Sequence, residues 1–229
     1  MTTAMRVLIA LLTFSLSCVG AAAHAQTNLA DGFKQLPSGA RIALMPADVE
    51  LFEISAGGVP EPRSDWTKAA LANVQQLIKE RRGKIGANVV DVTDESEEVV
   101  ELNRLHGAVG VAIANHHYGL LKLPTKDGRL DWTLGEDAAV LKQRTGADYA
   151  LFLFIRDSYA SAERKAAIVI GALFGIGIPG GVQIGYASLV DLRTGQVLWF
   201  NRLLRGHGDL RERDKAAETL DTLLTGFPQ

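Results

Sequence analysis

Apolar and polar positions alternate along the chain in a way that sets out a strand–helix series. Arg41-Ile-Ala-Leu-Met-Pro46 starts as a strand. Beyond Pro46, Val49, Leu51 and Ile54 alternate with Asp48, Glu50 and Glu53, so the strand is expected to resume. Gly57 to Pro62 reads as a loop from its breakers. From Ser64 or Asp65 onward, Trp66, Ala69, Ala70, Asn73, Val74, Leu77 and Ile78 recur at helical spacing. Lys79 to Arg82 place cations in the last turn, and Gly83 is the expected stop. Asn88 to Val92 predicts a short buried strand. Asp94, with Glu97 three residues on, predicts the start of a second helix with Val99, Leu102, Leu105, Val109, Ala112 and Ile113 inward. His116 to Gly135 shows no period, and Glu136 to Arg144 predicts a short helix closed by Gly146.

The run Ala147-Asp-Tyr-Ala-Leu-Phe-Leu-Phe-Ile155 is apolar on both faces of a strand and is expected at the centre of a sheet. Leu151, Leu153 and Ile155 should lie on one face, Phe152 and Phe154 on the other, each covered by helices. Val182 to Leu192 and Gln196 to Leu204 predict a hairpin, with Gly195 in the left-handed position of its turn. Asp214 to Leu224 predicts a final amphipathic helix. The expected fold is α/β, of the α+β type: a mixed β-sheet flanked by helices, with a C-terminal hairpin and helix.

The ends change this picture first. Arg6, an apolar run from Val7 to Val19, and Ala23-His24-Ala25 follow the order of a secretory signal, with cleavage expected between Ala25 and Gln26. Cys18 leaves lipidation open as an alternative, although Ser15-Leu16-Ser17 is a poor approach to a lipid-accepting cysteine. Residues 26–40 read as a loose leader, and 41–229 as one domain. The exported chain is expected in the periplasm or at the outer membrane. Cys18 is the only cysteine, so its removal leaves neither a disulfide nor a thiolate metal site. A net charge of −2 argues against nucleic acid as a partner.

Candidate chemistry is sparse. Adjacent His116 and His117 point apart, and His106 is too distant along a helix to join them, so a metal site is not expected. The acids Asp94, Glu95, Glu97, Glu98 and Glu101 read as a helix start favoured by the backbone dipole. Gly175-x-Gly177-x-x-Gly180 matches a dinucleotide fingerprint in letters, but Pro179 and a following strand are the wrong context. No catalytic residue, cofactor or metal ligand is assigned.

The most informative segment is Ala166 to Val190, which carries no formal charge. Pro179-Gly180-Gly181 breaks it, and the apolar insertion spans 166–181. Three accounts stay open: a buried core element, a surface for oligomerisation or a partner, or a membrane contact. Ile168, Ile170, Gly171, Leu173, Phe174, Gly175, Ile176 and Ile178 are the candidate contact residues, with Gly171 and Gly175 spaced for close helix packing. About 13 helical residues reach roughly 20 Å, short of a bilayer core of about 30 Å, so a contact element is expected instead of a lone transmembrane helix.

Gly146 to Ile155, the glycine-rich insertion, and Ala187-Ser-Leu-Val-Asp-Leu-Arg-Thr-Gly-Gln-Val-Leu-Trp199 together resemble the second half of curli-secretion-channel-like and TolB-N-terminal-like bacterial envelope domains. Arg41 to Pro46 resembles their opening strand. The resemblance implies a mixed sheet flanked by helices, a place at the outer envelope and assembly with other chains, and it transfers no catalytic residue. The insertion lacks the alternation of a barrel strand. The expected function is a non-enzymatic envelope accessory or assembly protein, with a homo-oligomer, an envelope protein or a membrane surface as partner. The rival readings are a small-ligand module with a pocket near His116, His117 and Trp132, and a hydrolase of undisplayed site.

Overall fold

The computed structural model describes residues 28–86, 88–94 and 96–229; the expected secretory signal, its cleavage site and Cys18 lie outside them. In chain order the elements are β1 (Arg41–Leu44), β2 (Asp48–Ile54), β3 (Pro60–Pro62), α1 (Ser64–Glu80), α2 (Arg82–Ile85), β4 (Asn88–Asp91) and α3 (Glu97–Ile113). Then follow α4 (Ala139–Thr145), β5 (Tyr149–Ala160), α5 (Ala162–Leu173), β6 (Gln183–Asp191), β7 (Val197–Arg205) and α6 (Arg213–Leu223). The fold is α+β, with a seven-stranded mixed sheet between helices.

The sheet is organised around β5. Antiparallel β6 occupies one of its edges from Tyr149 to Asp157. Parallel β1 and β2 therefore share the other edge, pairing at Tyr149–Leu151 and Phe154–Ala160. They are two halves of one strand interrupted at Pro46, which has no N–H to give to a ladder. β4 extends the sheet beyond β1, β3 beyond β2, and β7 beyond β6.

Strand alternation sends successive β5 side chains to opposite faces. Leu151, Leu153 and Ile155 join one core with Val74 and Leu77 of α1 and Ala216 and Leu220 of α6. Phe152 joins a second core with Val99 and Leu102 of α3 and Leu141 of α4, and Phe154 packs against it. Both faces of the sheet are therefore covered by helices.

α3 lies close to the sheet because its inner face carries glycine. A Cβ at Gly110 would sit 2.7 Å from Tyr186, and one at Gly107 3.1 Å from Phe154. His106 lies on the same face, stacked on Phe152 at 4.7 Å. Leu105, expected inward, is exposed, and so is Ala69 of α1.

Several boundaries differ from the sequence expectation. α1 is capped by the extended backbone of Arg63, not by a Ser64 or Asp65 side chain. Gly83 lies inside α2, and the chain leaves the helix only at Gly86. α3 begins after Ser96, whose N–H is held by Asp94 at 2.9 Å. After α3 the chain continues through a π-helical turn, Ala114–Tyr118, where no periodicity was visible. β4 is an edge strand, half-buried at best. The hairpin turn is as expected, with Gly195 at φ 72°.

Residues 28–40 are not loose. Asn28 to Ala30 run antiparallel beside β7, with Ala30 N–H on Leu198 O and Phe200 N–H on Asn28 O, both at 2.9 Å. Ala30 and Leu36 are buried. β7 is otherwise an edge with unpaired backbone groups, and this strap satisfies some of them.

Candidate functional site

The apolar insertion forms an arm that stands out from the fold. Its helix, α5, starts four residues earlier than the apolar run, where the Ser161 hydroxyl accepts the Arg164 N–H at 3.2 Å. It ends at Leu173 in a left-handed glycine cap. Gly175 has φ 73°, its N–H reaches Ala172 O at 3.1 Å, and Ile176 N–H reaches Gly171 O at 2.8 Å. The Gly171–Gly175 spacing therefore serves a helix terminus and not the close helix packing expected of it. The return loop is clamped at its root by Ser158, whose N–H and hydroxyl bond Val182 O and whose oxygen accepts Val182 N–H.

The buried-core account of this segment is overturned. Leu173 is 80% exposed, Phe174 77%, Val169 64%, Ile176 58% and Ile170 57%. The reason is spatial, because both faces of the sheet are already covered by α1, α6, α3 and α4. Of the candidate contact residues, Ile170, Leu173, Phe174, Gly175 and Ile176 point outward. Ile168 and Ile178 are half-buried, and Gly171 is buried against Ile178. Among the described residues, no helix is long and apolar enough to cross a membrane.

A polar network sits at the arm's root. Asp157 of β5 is buried, and its Oδ2 accepts the Tyr159 hydroxyl and, at 2.6 Å, Gln183 Nε2. Burial pushes its carboxyl above the ordinary aspartate value, against the pull of those two donors. The Tyr159 phenol is raised by burial and by its bond to Asp157. Gln183 in turn accepts Arg205 Nε at 2.9 Å and the Thr219 hydroxyl at 3.0 Å. Arg211, held by Asp209, lies over both Trp66 and Tyr159 at 4.2 and 4.1 Å. This network fixes β5, β6, β7 and α6 together where the arm emerges. Sequence reasoning missed it because the β5–β6 register alone brings Asp157 opposite Gln183.

The histidines do not form a site. His116 Nδ1 is bonded to Leu121 O at 2.6 Å, and its ring stacks against Trp132 at a centroid distance of 6.3 Å. His117 is buried, edge-on to Tyr118. The structure thus brings His116 and Trp132 together, while His117 is buried beside Tyr118. No cluster among the described residues could hold a metal ion. His106, read from the sequence as polar, is fully buried, with Nε2 2.8 Å from Ser188 Oγ, itself buried. Burial pushes its pKa down to about 3, so the ring is neutral at pH 7. The pair joins α3 to β6 out of reach of solvent. Of the acids near α3, Glu97, Glu98 and Glu101 are exposed, and Asp94 and Glu98 are both paired to Arg144; Glu95 lies outside the described residues. Gly177 and Gly180 lie in the arm's return loop, where no helix follows to bind a phosphate.

No protein-family model matches the chain, and neither does any curated protein. Among solved structures, it is similar to a PelC dodecamer from Paraburkholderia phytofirmans, at 14% identity and a TM-score of 0.37 over 83% of this chain and 91% of that one. It is also similar to lipoprotein GNA1162 from Neisseria meningitidis, at 16% identity and a TM-score of 0.31, covering 79% and 90%. For the LpoB C-terminal domain from Salmonella enterica the values are 12%, 0.27, 77% and 87%. At these identities and TM-scores none of the three carries a function over.

Proposed function

We propose that this protein is a non-enzymatic accessory or assembly protein of the bacterial envelope, exported to the periplasm or the outer membrane, with the arm as its working surface. One observation carries the reading: five large apolar side chains of the arm are more than half exposed, at the end of a fold whose sheet is covered on both faces. Soluble surfaces seldom leave contiguous apolar area of this kind to water unless something binds there. The signal-like N-terminus and the resemblance of the central strand and hairpin to envelope domains supply the compartment. The buried polar groups at the arm's root are engaged with one another, which suits a rigid mount for a contact element.

The test replaces residues 168–178, in a Cys18→Ser background that removes any acyl anchor, with a glycine–serine linker that leaves Ser158 and Val182 in place. The unaltered protein should fractionate with the envelope after cell breakage, and the linker variant should move to the soluble pool with its thermal transition retained. A variant that remains fully envelope-associated would overturn the role given to the arm.

A further inference from the structure

Resting on the reading of the arm as the working surface, we infer that its occupant is a lipid surface, entered to a depth of about 5–10 Å by the end of α5 and the turn that follows.

The first ground is how the apolar residues are distributed around the helix. From Ala166 to Val182 the sequence holds no polar side chain. At about 100° per residue, the exposed Ala172, Val169, Leu173 and Ile170 cover one face of about 160°, while Ile168 is half-buried and Gly171 is buried on the opposite side. A protein-binding patch is ordinarily bounded by a polar rim. This face has none within the arm, which suits a lipid interior. Phe174 and Ile176 continue the same surface past the helix end.

The second ground is where the other exposed apolar groups lie. Val182 precedes β6 at the arm's root, and Leu204 lies on β7 opposite Ile184. Val59 belongs to the β2–β3 turn, where a Cβ at Gly58 would lie 3.2 Å from the Arg164 guanidinium of α5. With the arm's five, these make eight of the thirteen exposed large apolar side chains among the described residues, all at one end of the sheet.

The third ground is charge and length. Arg164 and Lys165 stand in the first turns of α5, and Lys165 is exposed. Lys165 lies eight residues before Leu173, about 12 Å along the axis at about 1.5 Å per residue. Apolar faces of interfacial helices sink about 5–10 Å into the headgroup–acyl boundary. At that depth for Leu173 and Phe174, Lys165 sits at the level of anionic headgroups; Arg164 Nε is held by Pro179 O at 3.0 Å, and Glu163 beside it is exposed. The twelve residues of α5 rise about 18 Å, well short of the about 30 Å needed to span.

The experiment is flotation of the protein, recovered from the exported fraction, with protein-free vesicles of phosphatidylethanolamine and phosphatidylglycerol. A Cys18→Ser background removes any acyl contribution. The chain should float with the vesicles, and a Leu173→Asp, Phe174→Asp variant at least tenfold less, with an unchanged thermal transition. Lys165→Gln should weaken partitioning about fivefold on these vesicles and leave it unaltered on neutral phosphatidylcholine. Absence of flotation, or equal flotation of the double variant, overturns the inference. So does a dimer in sedimentation velocity that the double variant abolishes, since a second copy would then cover the arm. A chain that stays with the envelope through its arm but does not float refutes the lipid occupant alone. Full envelope retention of the linker variant refutes the arm's role itself.

Discussion

Two buried titratable groups give opposite pH dependences. His106 has a folded pKa near 3 and an ordinary unfolded value near 6.5, so the unfolded chain binds more protons between them. Stability from this group is therefore constant above pH 6.5 and falls as pH drops toward 3. The loss should be about 2 kcal/mol between pH 6.5 and 5, read from urea midpoints. His106→Leu should flatten that part of the profile; an unflattened profile would assign the acid loss to other groups. Asp157 is raised instead, so its contribution is lost as pH rises from the unfolded carboxylate range through its folded value. Asp157→Asn keeps an acceptor for Tyr159 and Gln183 while removing the buried charge, and should match or exceed the native stability at pH 7. Asp157→Leu strands both donors and should cost about 1–3 kcal/mol. Calorimetry of the two variants at pH 7 separates the cases, and equal loss in both would show that the carboxylate itself is required.

The seating of α3 on the sheet depends on a missing methyl group. Gly110→Ala gains helix propensity of up to about 1 kcal/mol but drives a carbon to within 2.7 Å of Tyr186, an overpacking cost of about 1–3 kcal/mol. Net destabilisation is expected. Gly83→Ala, with open space at its Cβ, should be neutral or stabilising in the same denaturation assay. A stabilised Gly110→Ala would mean that Tyr186 swings aside freely. The elements that could be read from the sequence are those whose own residues decide them. β5 is apolar on both faces, and Asp191-Leu-Arg-Thr-Gly195 closes a hairpin. Helix starts were less legible because Arg63 and Ser96 cap by backbone conformation, with no side-chain bond to announce them. The burial of His106 depends on Ser188, 82 residues away. The arm's residues were legible as an apolar run, but their exposure was not. That follows only once four other helices have taken both faces of the sheet.

At the scale of the whole molecule, the first and last of the described residues close the fold together. Asn28 to Ala30 pair with the outer edge of β7, and Leu36 N–H reaches Pro228 O at 2.9 Å. Phe227 meets the buried Trp199 edge-on at 5.2 Å, and the Tyr118 hydroxyl donates to Asn28 at 2.7 Å. A strap of this kind covers an edge that would otherwise template pairing with another chain. Removing residues 26–39 should therefore do two things. Loss of buried Leu36 and Ala30 should cost about 2–5 kcal/mol, seen as a lower urea midpoint. Exposure of the β7 edge should also produce concentration-dependent association in light scattering. That association differs from any contact made through the arm, because it should persist when Leu173 and Phe174 are changed to Asp. An unchanged midpoint together with a monodisperse truncated chain would show that the segment lies on the domain without holding it.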